Sequence, residues 1–303
     1  MKHKIIALLI VFPTLLTAAW GQTPQNSGSQ FFFNPYLYNS GFVGINNQTE
    51  LNLLYKRQWI NFRDAPSTMG LNLQMPTNDR VVLGFNLLSD SWLLLQNTSF
   101  TGTFGYVVPI DKKQTLRFGL SGGLGVKKLK LTAEELNTND PAIINAASSQ
   151  NYINGNFGFV YTNDRFRFGI ALTELFNSDP YEKETFNDFS ISNLKNRLFS
   201  VSYRFNLDLF GNYGLEPYVL YHQSADGLQD SWEAASVFYY KNSLWSGVSY
   251  RQNGGLGLFF GLNHNQRFAF SYRYEFPSFK SEGLSMSSHE LQMSLKLGKK
   301  ADD

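Results

Sequence analysis

The feature that most constrains this chain is an alternation of apolar and polar residues with period two, sustained over runs of about eight to eleven residues. In 165–173, Phe166, Phe168, Ile170 and Leu172 share one face, while Arg165, Arg167, Gly169, Ala171 and Thr173 share the other. The same split recurs in 267–275, where Phe268, Phe270, Tyr272 and Tyr274 oppose Arg267, Ala269, Ser271, Arg273 and Glu275. It recurs again in 290–297 and in 114–126, where Leu116, Phe118, Leu120, Leu124 and Val126 face away from Arg117, Gly119, Ser121, Gly123 and Gly125. Such a pattern fits a strand with one wet and one apolar face, and no stretch past the N-terminus has the roughly 18 apolar residues of a membrane helix.

A soluble sandwich would alternate too, so the surroundings must decide. Runs near ten residues match a tilted bilayer crossing, whereas sandwich strands are nearer five or six. The polar face carries Gly and Ser beside Arg, which suits a lumen. Aromatic residues crowd the ends of the apolar runs at Tyr55, Trp59, Tyr106, Trp232, Trp245, Tyr250 and Tyr274, as interface girdles do. An open edge in hydrocarbon would leave backbone groups unpaired, so the sheet must close. The fold expected is all-β: a transmembrane antiparallel up-and-down β-barrel of about 14 strands over 49–297. Its strands are expected near 49–57, 67–74, 81–88, 98–108, 114–126, 152–161, 165–173, 196–206, 214–222, 232–240, 243–251, 255–262, 266–274 and 288–297. Connections after even strands are short and polar. Those after odd strands are mostly longer, at 58–66, 89–97, 127–151, 174–195, 223–231 and 275–287, with 252–254 an exception. That asymmetry puts both termini in the periplasm and the long loops outside the cell.

The N-terminus reads as an export signal over 1–21. Lys2 and Lys4 precede an apolar 5–16, and Ala19-Trp20-Gly21 offers small residues for cleavage before Gln22. The chain has 26 basic and 24 acidic residues; the leader contributes two Lys and no acid, so the mature part is formally neutral. Neutrality gives no support to nucleic-acid binding. Residues 22–48, with Phe31-Phe32-Phe33-Asn34-Pro35-Tyr36, are too aromatic for a disordered tail. A barrel of this width cannot fill its lumen with its own side chains. The segment is therefore expected to enter the lumen as a partial plug, the alternative being a periplasmic docking arm. Residues 298–303 read as a solvated tail.

Chemistry is sparse. Zero cysteines exclude disulfides and thiolate metal sites. His3, His222, His264 and His289 have no metal-ligand spacing, and no nucleophile elbow or phosphate loop occurs. Gly254-Gly255-Leu256-Gly257 echoes a dinucleotide motif but opens a strand, where glycine permits close packing. No catalytic, cofactor or metal residue is assigned, and no enzyme activity is expected. The polar strand faces carry Arg117, Arg165, Arg167, Arg204, Arg251, Arg267 and Arg273. They would either line a basic pore or brace the interior by pairing with Glu216, Glu275 and Glu290.

Asn34-Pro35-Tyr36-Leu37-Tyr38-Asn39-Ser40-Gly41-Phe42-Val43-Gly44 resembles the asparagine-proline-rich opening of the PorP/SprF family of type IX secretion outer-membrane proteins, with Ser40 where that opening has a second proline. Tyr55-Lys56-Arg57-Gln58-Trp59 and the following Ala65-Pro66-Ser67-Thr68 are similar to its first-strand motif. Val82-Leu83-Gly84-Phe85-Asn86-Leu87-Leu88-Ser89-Asp90 and Ser288-His289-Glu290-Leu291 resemble its later blocks. The resemblance implies an outer-membrane protein embedded in lipid that secretes or anchors cargo bearing type IX C-terminal signals, such as adhesins, in some bacteria linked to gliding. It implies periplasmic partners too, peptidoglycan-linked or belonging to the secretion ring. Asn34, Pro35, Tyr55, Arg57, Gln58, Trp59, Pro66 and Thr68 are then the candidate docking residues. From the residues alone, an outer-membrane channel with a basic lumen stays open as the other reading.

Overall fold

The computed structural model describes residues 31–60, 65–92, 95–129, 149–176, 196–224, 230–252, 255–276 and 287–298. The expected leader at 1–21, most of the tail at 298–303 and the middles of most long loops lie outside the described residues. Fifteen strand segments make fourteen antiparallel staves, because β8 (Arg197–Tyr203) and the two-residue β9 (Phe205–Asn206) continue one stave across Arg204. The others are β1 (Thr49–Gln58), β2 (Ser67–Pro76), β3 (Val81–Trp92), β4 (Leu95–Pro109), β5 (Thr115–Leu129), β6 (Gln150–Thr162), β7 (Phe166–Leu172), β10 (Tyr213–Gln223), β11 (Ser231–Tyr240), β12 (Leu244–Arg251), β13 (Gly255–His264), β14 (Phe268–Glu275) and β15 (Ser288–Leu297). Each stave pairs with its sequence neighbours. The ring closes where β15 pairs with β1, from Thr49↔Leu297 to Gln58↔Ser288. No backbone edge is left for hydrocarbon, as the strand number and alternation require.

Alternation sorts the side chains into two shells. On β1, Glu50, Asn52, Leu54 and Lys56 are buried inside, while Leu53 and Tyr55 are exposed outside at 45% and 38%. Leu120, Leu124, Phe100, Phe104, Phe260 and Met293 are likewise exposed on the outer face, which an aqueous protein would not tolerate over so continuous a surface. The inner shell is polar and packed: Ser271 and Arg273 are at 0% and 1% exposure.

The short connections gather on one rim, here the turn rim, and are capped locally. Asn78 Oδ1 accepts from the backbone N–H groups of Arg80 and Val81, and Asp111 Oδ1 from Lys113 and Gln114. In the turn before β10 the Asp208 carboxylate accepts from Tyr213 N at 2.9 Å, a backbone hydrogen bond that holds it below the usual carboxylate range.

Two sequence expectations need correction. The long loop expected at 89–97 is mostly strand, since β3 runs to Trp92 and β4 begins at Leu95, paired as Trp92↔Leu95. Ser89, Asp90 and Ser91 have weak strand preference, but Ser89 meets the Thr98 hydroxyl at 3.0 Å and Asp90 accepts from Thr68 at 2.6 Å. Cross-strand partners override propensity there. Trp245, assigned to the outer girdle, faces inward at 6% exposure on the same face as Arg251. Its indole lies where a side chain on Gly261 would otherwise stand, within 2.2 Å of that glycine's absent Cβ. Tyr55, Tyr106, Trp232, Tyr250 and Tyr274 do lie on the outward face.

Candidate functional site

Residues 31–48 pack against the inner wall, and the site is the contact between that segment and the ring. Pro35 opens a one-turn 3-10 helix (Pro35–Leu37), suited by its fixed φ, and a second (Ser40–Phe42) follows. Phe31, Tyr36, Phe42 and Val43 are nearly fully buried in one cluster with Val82, Val160, Tyr218, Val237, Trp245 and Phe259. Phe32 stacks on Phe259 with centroids 4.7 Å apart, and Phe33 lies 5.7 Å from Trp245. Full burial of each such side chain contributes about 1.5–3 kcal/mol.

Hydrogen bonds fix the rotation of the segment. Tyr36 OH donates to Thr103 Oγ1 at 2.7 Å, and Ser40 Oγ to the Gly119 carbonyl at 2.9 Å. Asn39 Nδ2 reaches the carbonyls of Ile170 and Phe159, at 3.2 and 3.4 Å, while its Oδ1 accepts from Gly41 N. Gly44 N donates to Gln74 Oε1 at 2.7 Å; φ at this glycine is +65°, a conformation other residues adopt at a cost. Arg117 donates from Nη2 to the Val43 carbonyl at 2.7 Å. The anchors thus come from β2, β4, β5, β6 and β7.

Glycines on the inner wall make room for this backbone. Gly105, Gly119 and Gly158 stand side by side in register across β4, β5 and β6. A Cβ on Gly119 would lie 2.1 Å from Ser40 O, and one on Gly158 would lie 2.1 Å from Asn39 Oδ1 and 2.2 Å from Gly41 N. Sequence reading noted glycine on the polar faces without seeing that three staves align theirs. Asn39→Ala, which removes both donations to wall carbonyls, is expected to lower unfolding stability by about 1–3 kcal/mol, measured by urea titration in detergent micelles.

Toward the loop rim the opposite wall holds a charge network. Arg251 donates from Nε and Nη2 to Glu233 Oε2 at 3.0 and 2.8 Å. Arg273 bridges Glu233 Oε1 at 2.9 Å and Glu275 Oε2 at 3.4 Å. Glu275 lies two residues along its own strand; to reach Glu233 on β11 the side chain passes over β13 and β12, and Gly257 on β13 leaves room: a Cβ there would be 2.8 Å from the Arg273 guanidinium. Lys56 and Arg273 each stand opposite Glu290 in the strand registers. Arg167 lies 3.7 Å from Glu216, and Arg204 covers the Tyr239 ring at 4.2 Å. Arg165 and Arg267 sit exposed in turns. The bracing arrangement is what the ring contains, with Glu216 and Glu275 in it. Glu233, the central acid, is absent from the acids expected to pair, although its parity on β11 already places it on the inner face.

The candidate docking residues do not form one patch. Asn34 and Pro35 are buried in the inner segment, and Thr68 is inside, bonded to Asp90. Tyr55 and Arg57 are on the outward face. At the loop rim, Gln58 N bonds Pro66 O at 2.9 Å, and Trp59 turns the chain with φ of +52°.

Similar folds occur among solved outer-membrane barrels. A monoaromatic hydrocarbon channel, CymD, is 12% identical, with 91% of this chain and 94% of that chain covered and a TM-score of 0.51. A TodX deltaS2S3 mutant monoaromatic hydrocarbon channel gives 10%, 91%, 96% and 0.52. The Ralstonia pickettii toluene transporter TbuX gives 10%, 90%, 95% and 0.50. At such identity the likeness shows the fold alone. A comparison with curated protein sequences gives no match. The family described as "Type IX secretion system membrane protein PorP/SprF" matches residues 21–295, nearly the whole chain. With a closed fourteen-stave ring, an apolar outer face and a family match of this length, the protein is an outer-membrane β-barrel. It belongs to the PorP/SprF family of type IX secretion system membrane proteins.

Proposed function

We propose that this barrel is a docking component of type IX secretion whose lumen is kept shut by its own residues 31–48. Cargo bearing type IX C-terminal signals, adhesins among them, meets the loop rim for export or surface anchoring, with gliding a consequence in cells that use such adhesins. Periplasmic partners, peptidoglycan-linked or in the secretion ring, meet the turn rim. Residues 1–21 are removed on export, and the role is non-enzymatic. The observation that carries this reading is the packing of residues 31–48 against the inner wall: the segment has its aromatic residues in or against the buried cluster and its polar groups bonded to five staves. A segment seated inside in this way supports the loops, rather than the interior, as the place where a partner is met.

The second reading is a channel, favoured by fold likeness to hydrocarbon and toluene transporters. Against it, Arg251 and Arg273 are matched to Glu233 and Glu275, so the inner wall offers no band of uncompensated cations there. Purified protein in a planar bilayer is expected to show no stable conductance; a persistent open pore would favour the channel. Deleting the gene is expected to abolish surface display of a cognate cargo, and unchanged display would overturn the secretion reading.

A further inference from the structure

Every acid on the described strands faces inward. Glu50, Asp90, Glu216, Glu233, Glu275 and Glu290 are all buried in the lumen. The outward face carries bases at the loop rim instead. Arg57 is second from the end of β1, Lys128 second from the end of β5, Arg197 the first residue of β8 and His289 the second of β15. Between the rims the outward face of the described strands has no ionisable group besides tyrosine, and at the turn rim it has His264.

Two of these bases meet at the seam that closes the barrel. Arg57 and His289 are direct cross-strand partners of β1 and β15. The Tyr272 hydroxyl is 2.6 Å from His289 Nδ1, and the Tyr274 ring stands edge-on to the imidazole with centroids 5.1 Å apart. That bond occupies one ring nitrogen and leaves Nε2. Arg57 is exposed and makes no hydrogen bond or ion pair among the described residues. Tyr55, exposed two residues below on the same face, adds another hydroxyl.

A guanidinium at the edge of hydrocarbon is costly unless an anion meets it. Arginine and lysine on the outward face of the described strands stand at the loop rim, and acids are withheld from that face; this complements a negatively charged headgroup layer on that side. The planar fork of arginine suits phosphate, and tyrosine hydroxyls sit at headgroup depth. We propose that Arg57 and His289, framed by Tyr55, Tyr272 and Tyr274, bind the phosphate of an anionic lipid headgroup in the leaflet at the loop rim. A protein partner has no need of bases placed at the hydrocarbon boundary, so the lipid is the occupant argued for.

The test uses the purified full chain in detergent with diphosphoryl lipid A as probe, followed by native mass spectrometry. The wild type is expected to retain the phosphorylated lipid and to bind its dephosphorylated form more weakly. Arg57→Gln combined with His289→Gln is expected to lower affinity about tenfold. Arg165→Gln, at the opposite rim, is expected to leave it unchanged. Arg57→Lys keeps the charge but loses the fork, and is expected to fall between. Neither side chain joins the lumen network, so heat-modifiable gel mobility should report folded barrel throughout. Equal binding by the double variant and the wild type would overturn the proposal, as would equal retention of the dephosphorylated lipid. Displacement of the lipid by millimolar inorganic phosphate would assign the site to a free anion instead. Lost cargo display with unchanged lipid binding would assign the face to a protein.

Discussion

Arg273→Ala is expected to cost the folded barrel about 3–5 kcal/mol. The side chain is 1% exposed and joins Glu275 on its own strand to Glu233 on β11. Its removal leaves Glu233 with Arg251 at 2.8 Å and takes from the buried Glu275 the guanidinium that meets it at 3.4 Å. The cost of desolvating an unmatched carboxylate outweighs the lost contact itself. Urea unfolding in detergent or liposomes, followed by gel mobility, measures the loss. Adding Glu275→Gln to Arg273→Ala should recover part of it, because one stranded charge is then gone. A loss below about 1 kcal/mol would show that the network is solvated and screened as a surface pair would be.

Gly158→Val is expected to unseat residues 31–48. The new Cβ would fall 2.1 Å from Asn39 Oδ1 and 2.2 Å from Gly41 N, so the inner segment must move, because the strand is held by β5 and β7 on both sides. Overpacking of this kind typically costs about 1–3 kcal/mol. Two readouts should change together: protease cleavage within 31–48 and ionic conductance across a planar bilayer. Gly122→Val is the control, since nothing lies within 4 Å of a Cβ there. Conductance unchanged from wild type in Gly158→Val, with the barrel folded, would mean that the segment is not what closes the lumen.

Alternation assigns Phe268, Phe270, Tyr272 and Tyr274 to one face and Ser271, Arg273 and Glu275 to the other, and the ring keeps that division. It does so because strand periodicity is a local property, set by backbone geometry at each residue. At Trp245 aromatic character points to the outer girdle but parity points inward: it lies six residues from Arg251 and so shares its face. The extension of β3 through Ser89–Asp90–Ser91 was illegible because its support comes from Thr98 and Thr68 on neighbouring staves.

By itself the sequence determined an exported-looking, closed transmembrane barrel with polar groups inside, short turns on one rim and an aromatic segment ahead of the first strand. These follow from period, run length and turn residues, all of which act within a few residues along the chain. Tertiary structure alone decided which residues meet inside. Gly105, Gly119 and Gly158 become one bay only when three strands take their register, and Arg273 finds Glu233 on β11 only because Gly257 on β13 leaves room for the guanidinium. A one-residue slip of any strand would turn those groups outward, so their meeting depends on closure of the whole ring rather than on any segment of it.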